Sequence, residues 1–179
     1  AGFDAVVGNP PYVNSKYLDE SQKQYLEGAY SSTTGRWDTY LPMTEKAIEL
    51  AAGSVSYIEP SMFFRREYGE GLREYISGSD SSVREIIDFS DLAVFESATN
   101  YVCIITIDKS DQNKEFAVRI PESTEGFASS REINSKYHLM NSELGSDPWE
   151  IIPADVVEII EAVPSHFIEL SEVTDSITE

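Results

Sequence analysis

At 179 residues the chain has the length of one ordinary domain with part of a second, and its 41% hydrophobic content suffices for a packed core. No apolar run approaches the ~20 residues of a membrane span, no basic leader is present, and the lone cysteine, Cys103, excludes an internal disulfide and fits a cytoplasmic setting. The 32 Asp and Glu against 13 Lys and Arg give a net charge of -19, which opposes binding to phosphates at low ionic strength.

The acids are scattered through every segment rather than gathered in a tail. An acidic surface for a partner is one explanation. A high-salt cytoplasm fits the scatter better, because a Debye length of ~3 Å at 1 M salt screens the mutual repulsion and weakens the objection to nucleic acid. The chain opens Ala-Gly, without Met, directly before a strand-like run, as an excised piece would.

Residues 3–8 read as a buried strand, and 14–37 as polar and aromatic, with a short helix followed by the loop "SSTTGR". Asp38 is placed to cap a helix running to Ala52, with Tyr40, Leu41, Ala47, Ile48 and Ala51 on one stripe and Gly53 ending it. A second strand spans 54–58, Pro60 and Ser61 turn the chain, and a helix is predicted over 62–76, weakened by Gly69 and Gly71. "VREIIDF", 83–89, is a third strand, "DLAVFESATN" a connection, and "YVCIITI", 101–107, a fourth strand holding Cys103 as a buried small hydrophobe. "EFAVRI" reads as a fifth strand, hairpin-paired with the fourth. Residues 121–150 look irregular, and 153–163 a short helix between Pro153 and Pro164. Strand and helix alternate at a spacing that predicts an α/β sheet, parallel at first and antiparallel in its last strands.

The strand at 3–8 runs into Asn9-Pro10-Pro11-Tyr12. Ligands of open α/β sheets bind beyond the carboxyl ends of the strands, where this tetrapeptide stands. Two readings stay open. Prolines fix φ and lack N–H groups, so the four residues make a rigid strand exit. They also suit the activation of an aromatic amine, whose lone pair is delocalised into its ring. The Asn9 side-chain oxygen and the Pro10 carbonyl can accept from its two N–H bonds, and they bind the nitrogen more strongly as it gains positive charge while attacking an electrophilic methyl. Pro11 stiffens the loop, and Tyr12 offers a face for stacking.

"NPPY" after a hydrophobic strand resembles motif IV of the amino-group methyltransferases that use S-adenosylmethionine, mainly the N6-adenine DNA methyltransferases. Enzymes that methylate a glutamine amide in release factors share it. The wider stretch from "GRWDTYLPM" through "YVCIITI" resembles the large gamma-class, Eco57I-like restriction-modification methylases, a similarity spanning residues 3–107. It implies a partial Rossmann-like methyltransferase fold holding strands 4 to 7, without the Gly-rich cofactor half. It divides the chain into 1–120, the C-terminal half of the catalytic domain, a connection over 121–152, and the start of a DNA-specificity region over 153–179.

Carried over residue by residue, Asn9 and Pro10 would accept from the adenine amino group and Tyr12 would stack on the base. Phe95 in "AVFESA" resembles the motif VIII aromatic on the same base. The implied partner is double-stranded DNA with a flipped adenine. The implied cofactor is S-adenosylmethionine, bound poorly by this chain alone, which would show no turnover. The first strand would be an apolar edge open to self-association. The alternatives are a protein glutamine methyltransferase, which the long 14–40 insertion disfavours, and a degenerate binding or dimerisation domain.

Arg36, Arg65 and Arg66 are candidates for DNA phosphates or for an ordinary solvated face. Trp37 and Tyr40 suit core packing better than a cleft wall. His138 and His166 are isolated and lack zinc-ligand spacing, so no metal is expected. "YGEGLR" reads as structural, not as a cofactor loop.

Overall fold

The computed structural model describes residues 2–89, 92–95, 101–109, 113–153 and 156. Strand β1 (Phe3–Gly8) is followed by helix α1 (Glu20–Ala29), whose N-terminus Asp19 and Gln22 close reciprocally as a capping box. Helix α2 (Tyr40–Leu50) runs directly into β2 (Ala51–Pro60). The predicted cap is not made there. Thr39 occupies the N-cap position without a side-chain bond, and the Asp38 carboxylate accepts from Asn14 Nδ2 at 2.8 Å instead.

Gly53 does not end the helix; it lies within β2, because a Cβ there would come within 2.1 Å of the Asp4 carbonyl across the β1–β2 pair. The helix predicted over 62–76 is broken into two 3₁₀ turns, Ser61–Phe64 and Glu67–Gly69, before α3 (Glu70–Gly78). Gly69 passes so close to the Phe63 carbonyl that a Cβ would sit 2.1 Å from it. Buried Arg73 fastens the break by donating to the carbonyls of Phe63, Arg66 and Ser146.

Strands β3 (Ser82–Asp88), β4 (Val102–Asp108), β5 (Glu115–Ile120) and β6 (Ser135–Met140) complete a six-stranded sheet of order β1-β2-β4-β3-β5-β6. β1 and β2 are parallel, as are β3 and β5, while β4 runs antiparallel to both its neighbours. The expected β4–β5 hairpin does not form. β4 is inserted between β2 and β3, so both its edges are used and β5 takes the free edge of β3.

The stretch expected to be irregular after residue 120 carries α4 (Thr124–Ser130), capped by Ser123, and β6, antiparallel to β5. The helix expected over 153–163 lies outside the described residues except at Pro153 and Val156, and so does His166.

Helices α2 and α3 cover one face of the sheet. Val55, Cys103, Ile105, Ile107, Ile86, Phe116 and Val118 pack there with Trp37, Tyr40, Leu41, Leu72 and Trp149. The opposite face carries a smaller cluster of Ile87, Phe89, Val102 and Phe127 of α4, flanked by Ile58, Ile104 and Phe95. Among the described residues β1 pairs with β2 alone, and the strand expected to be buried is an exposed edge, with Phe3 and Val7 62% and 79% exposed. No described helix is long and apolar enough to cross a membrane.

Candidate active site

β1 ends at Gly8, opposite Tyr57 of β2, and the chain leaves the sheet through Asn9-Pro10-Pro11-Tyr12 at its carboxyl edge. Asn9 is exposed and Pro10 buried. No described residue hydrogen-bonds the Asn9 amide or the Pro10 carbonyl. The next carbonyl is held: Thr39 Oγ1 donates to the Pro11 oxygen at 2.6 Å and accepts from Val13 N–H at 3.2 Å. Thr39 N–H donates to the Val13 carbonyl at 2.8 Å and Ser15 N–H to Trp37 at 2.9 Å, so residues 13–15 lie against 37–39 like a short strand pair. The loop is therefore clamped on one side of its two unengaged acceptors.

Tyr12 is half-buried, and its hydroxyl donates to the Ile58 carbonyl at 2.8 Å. That bond and two edge-on ring contacts, Tyr40 at 6.0 Å and Phe95 at 6.5 Å between centroids, fix the ring. Tyr12 touches both hydrophobic clusters and so stands where the two faces of the sheet meet its carboxyl edge. Burial, then the neighbouring Glu59 and Cys103, push its hydroxyl up to about 12, so it remains a neutral phenol. Of the expected aromatics, Tyr12 and Phe95 come together, whereas Trp37 and Tyr40 are wholly buried core residues. Tyr40 still shapes the site, as the wall behind Tyr12.

Two contributors were not singled out from the sequence. Thr39 is one, and nothing in its sequence setting marks it as a clamp. Glu59 is the other: wholly buried on β2, it accepts from Thr44 Oγ1 at 2.6 Å through Oε2 and has no hydrogen-bond partner at Oε1. Burial raises its carboxyl to about 8, so it is mainly the neutral acid at pH 7. A lone acid in the apolar run "SVSYIEPSMFF" was the available signal.

Arg36, Arg65 and Arg66 are exposed and border one cleft of about 550 Å³, together with Glu67 and Glu70. His138 lies exposed on β6. Gly71, like Gly69, is packed against backbone, with the Ser31 carbonyl 2.5 Å from where a Cβ would stand, so "YGEGLR" is a structural segment. No Gly-x-Gly turn follows a described strand. The site thus offers acceptors for an amine and a fixed aromatic ring, and no described residue is assigned to the nucleoside of a cofactor.

Comparison with known proteins bears on this arrangement. The chain is 25% identical over 152 residues to the type II restriction enzyme and methyltransferase RM.Eco57I of Escherichia coli, covering 82% of the chain and 15% of that protein. It is 26% identical over 133 residues to the adenine-specific methyltransferase PglX of Streptomyces coelicolor, covering 69% of the chain and 11% of PglX. The chain therefore spans only a small part of either relative.

A class I S-adenosylmethionine-dependent methyltransferase structure from Listeria monocytogenes, described as putative, superposes with a TM-score of 0.52 at 16% identity. The match covers 66% of this chain and 36% of that one, and it establishes the Rossmann-like methyltransferase fold. The model of the Eco57I restriction-modification methylase family matches residues 1–95, more than half of the 179, and the chain belongs to that family.

Proposed function

We propose that the chain is the amine-activating part of a DNA methyltransferase that transfers a methyl group from S-adenosylmethionine to N6 of an extruded adenine, in a restriction-modification or phage-defence system. The observation that carries this reading is the pair of unengaged acceptors, the Asn9 amide and the Pro10 carbonyl, beside a ring pinned by its own hydroxyl. The amine of adenine is planar and weakly nucleophilic. Two acceptors on its N–H bonds draw the nitrogen toward a tetrahedral shape and stabilise the positive charge that grows as the methyl arrives. The Thr39 clamp on Pro11 keeps those dipoles from reorganising.

Tyr12 would stack on the extruded base and Phe95, edge-on to Tyr12, would contact the same base, which offsets part of the cost of leaving the duplex. Arg36, Arg65 and Arg66 would meet phosphates. S-adenosylmethionine supplies the methyl, and the residues that bind it are sought in the whole protein rather than in this chain. The free edge of β1 would accept a further strand, from the same protein or from a second copy. Residues 1–120 would then belong to the catalytic domain and 153–179 to the entry into a specificity region. The connection 121–152 would count with the first of these, since its Ser135–Met140 pairs with β5.

The name of PglX supports adenine as the target. The test is product identity. The whole protein is incubated with DNA and S-adenosylmethionine, and the DNA is digested to nucleosides and read by mass spectrometry. N6-methyladenosine is expected as its deoxy form. Methylation confined to cytosine, or to a protein glutamine, would overturn the reading.

A further inference from the structure

Among the described residues, four of the 13 cations form ion pairs, namely Lys23, Lys46, Arg84 and Arg119, and Lys16, Arg36, Arg65 and Arg66 are among those that do not. Their placement is not random. Arg36 and Gly35 line two adjoining clefts. The first holds Arg65 and Arg66 and is tempered by Glu67 and Glu70. The second, of about 390 Å³, is lined by Asn14, Ser15, Lys16, Lys23, Gly35 and Arg36, with no carboxylate among them.

The nearby acids are engaged at its margin: Asp38 accepts from the lining residue Asn14, and Glu27 accepts from Trp37 Nε1 at 3.2 Å. Glu27 also lies 3.8 Å from Lys23, a loose pair of half-exposed groups that a stronger anion would displace. Lys16 rests over the Tyr17 ring at 4.7 Å with its ammonium open to solvent. This second cleft follows directly on the site, since Asn14 and Ser15 are bound to the segment whose Thr39 clamps Pro11.

We infer that Lys16, Lys23 and Arg36 form a phosphodiester-binding cleft which, with Arg65 and Arg66, carries the backbone of the DNA strand whose adenine is turned onto Tyr12. The inference rests on the function proposed above and adds two contacts to it. A strand that gives up a base must have its backbone held on the flanking nucleotides, and a cleft beside the site, lined by three cations and with Glu27 against Lys23 at its margin, meets that need. In a strongly acidic chain, such a cleft is also the place where a polyanion meets least repulsion.

The experiment uses the whole protein and a DNA duplex of about 30 base pairs, with affinity measured as a function of KCl. The double variant Lys16→Gln, Lys23→Gln should lower the slope of log K against log salt by ~1.8, two contacts at ~0.9 each. A rise from about 0.2 to about 0.8 M KCl would then weaken the variant about tenfold less than the wild type. Lys136→Gln, at the opposite edge of the sheet, serves as the charge control and should leave the slope unchanged. An unchanged slope in the double variant, or an equal fall in the Lys136 variant, would overturn the cleft.

Methyl transfer is read in parallel. Asn9→Ala should keep the wild-type slope while losing transfer. A wild-type protein that binds DNA and transfers no methyl defeats the functional reading, whatever the slopes show.

Discussion

Glu59 makes the stability of this fold depend on pH in a window where few other groups titrate. Its carboxyl sits wholly inside, with one oxygen held by Thr44, and burial moves it from 4.5 to about 8. At about 1.4 kcal/mol per tenfold change in proton activity, that difference sets the cost of ionising Glu59 in place at about 5 kcal/mol. The folded value is the raised one. Stability from the neutral acid is therefore fully present below pH 4.5, falls progressively as pH rises, and is spent above about pH 8. For a domain of ordinary stability this is a large fraction of the total.

Glu59→Gln keeps an acceptor for Thr44 and cannot ionise. Urea unfolding of wild type and variant, followed by the fluorescence of buried Trp37 and Trp149 at several pH values in molar KCl, measures the effect. High salt screens the general repulsion of the acidic surface, and the difference between the two proteins cancels what remains. The variant should gain on the wild type with rising pH, by about 3 kcal/mol or more between pH 5 and pH 8. A difference that stays constant across that range would refute the reasoning, because Glu59 would then titrate alike in the folded and unfolded states.

Other outcomes follow from single contacts. Thr39→Val removes the donor to Pro11 and the acceptor for Val13, and should cost about 1–2 kcal/mol in urea unfolding. In the whole protein it should lower the methyl-transfer rate while leaving DNA affinity near wild type. Arg73→Met takes a donor from the carbonyls of Phe63, Ser146 and Arg66, the last of which keeps the Gly69 N–H, and should destabilise by about 3 kcal/mol or more, read as a lower urea midpoint. Gly53→Ala drives a methyl into the Asp4 carbonyl, so β1 should part from β2 at a cost of about 3 kcal/mol, with faster amide exchange along β1. With a net charge of -19, the thermal midpoint should climb steeply with KCl; a midpoint indifferent to salt would remove the high-salt reading of the composition.

The sequence made the first four strands legible because each contains an apolar run, and the run at β1 ends in prolines that cannot continue it. Pairing was harder. The short turn after β4 suggested a hairpin, but which edge is free depends on where β4 inserts, a long-range fact no local pattern carries. β6 escaped notice because it is a short edge strand in which only Tyr137 and Leu139 turn inward, two apolar residues among polar neighbours. At the site, Tyr12 and Phe95 were legible from the motif resemblance, and the structure brings their rings within 6.5 Å. Thr39 and the Ile58 carbonyl were not, since their importance comes from hydrogen bonds spanning 28 and 46 residues of sequence.

The central claim is that the Asn9 side-chain oxygen and the Pro10 carbonyl activate an amine. It is tested most directly by single-turnover methyl transfer in the whole protein carrying Asn9→Ala, with the dissociation constant for target DNA measured alongside. The account predicts a rate lower by about a hundredfold or more, with DNA affinity within a few-fold of wild type, because Asn9 is exposed and supports no described residue. Transfer at the wild-type rate would contradict it.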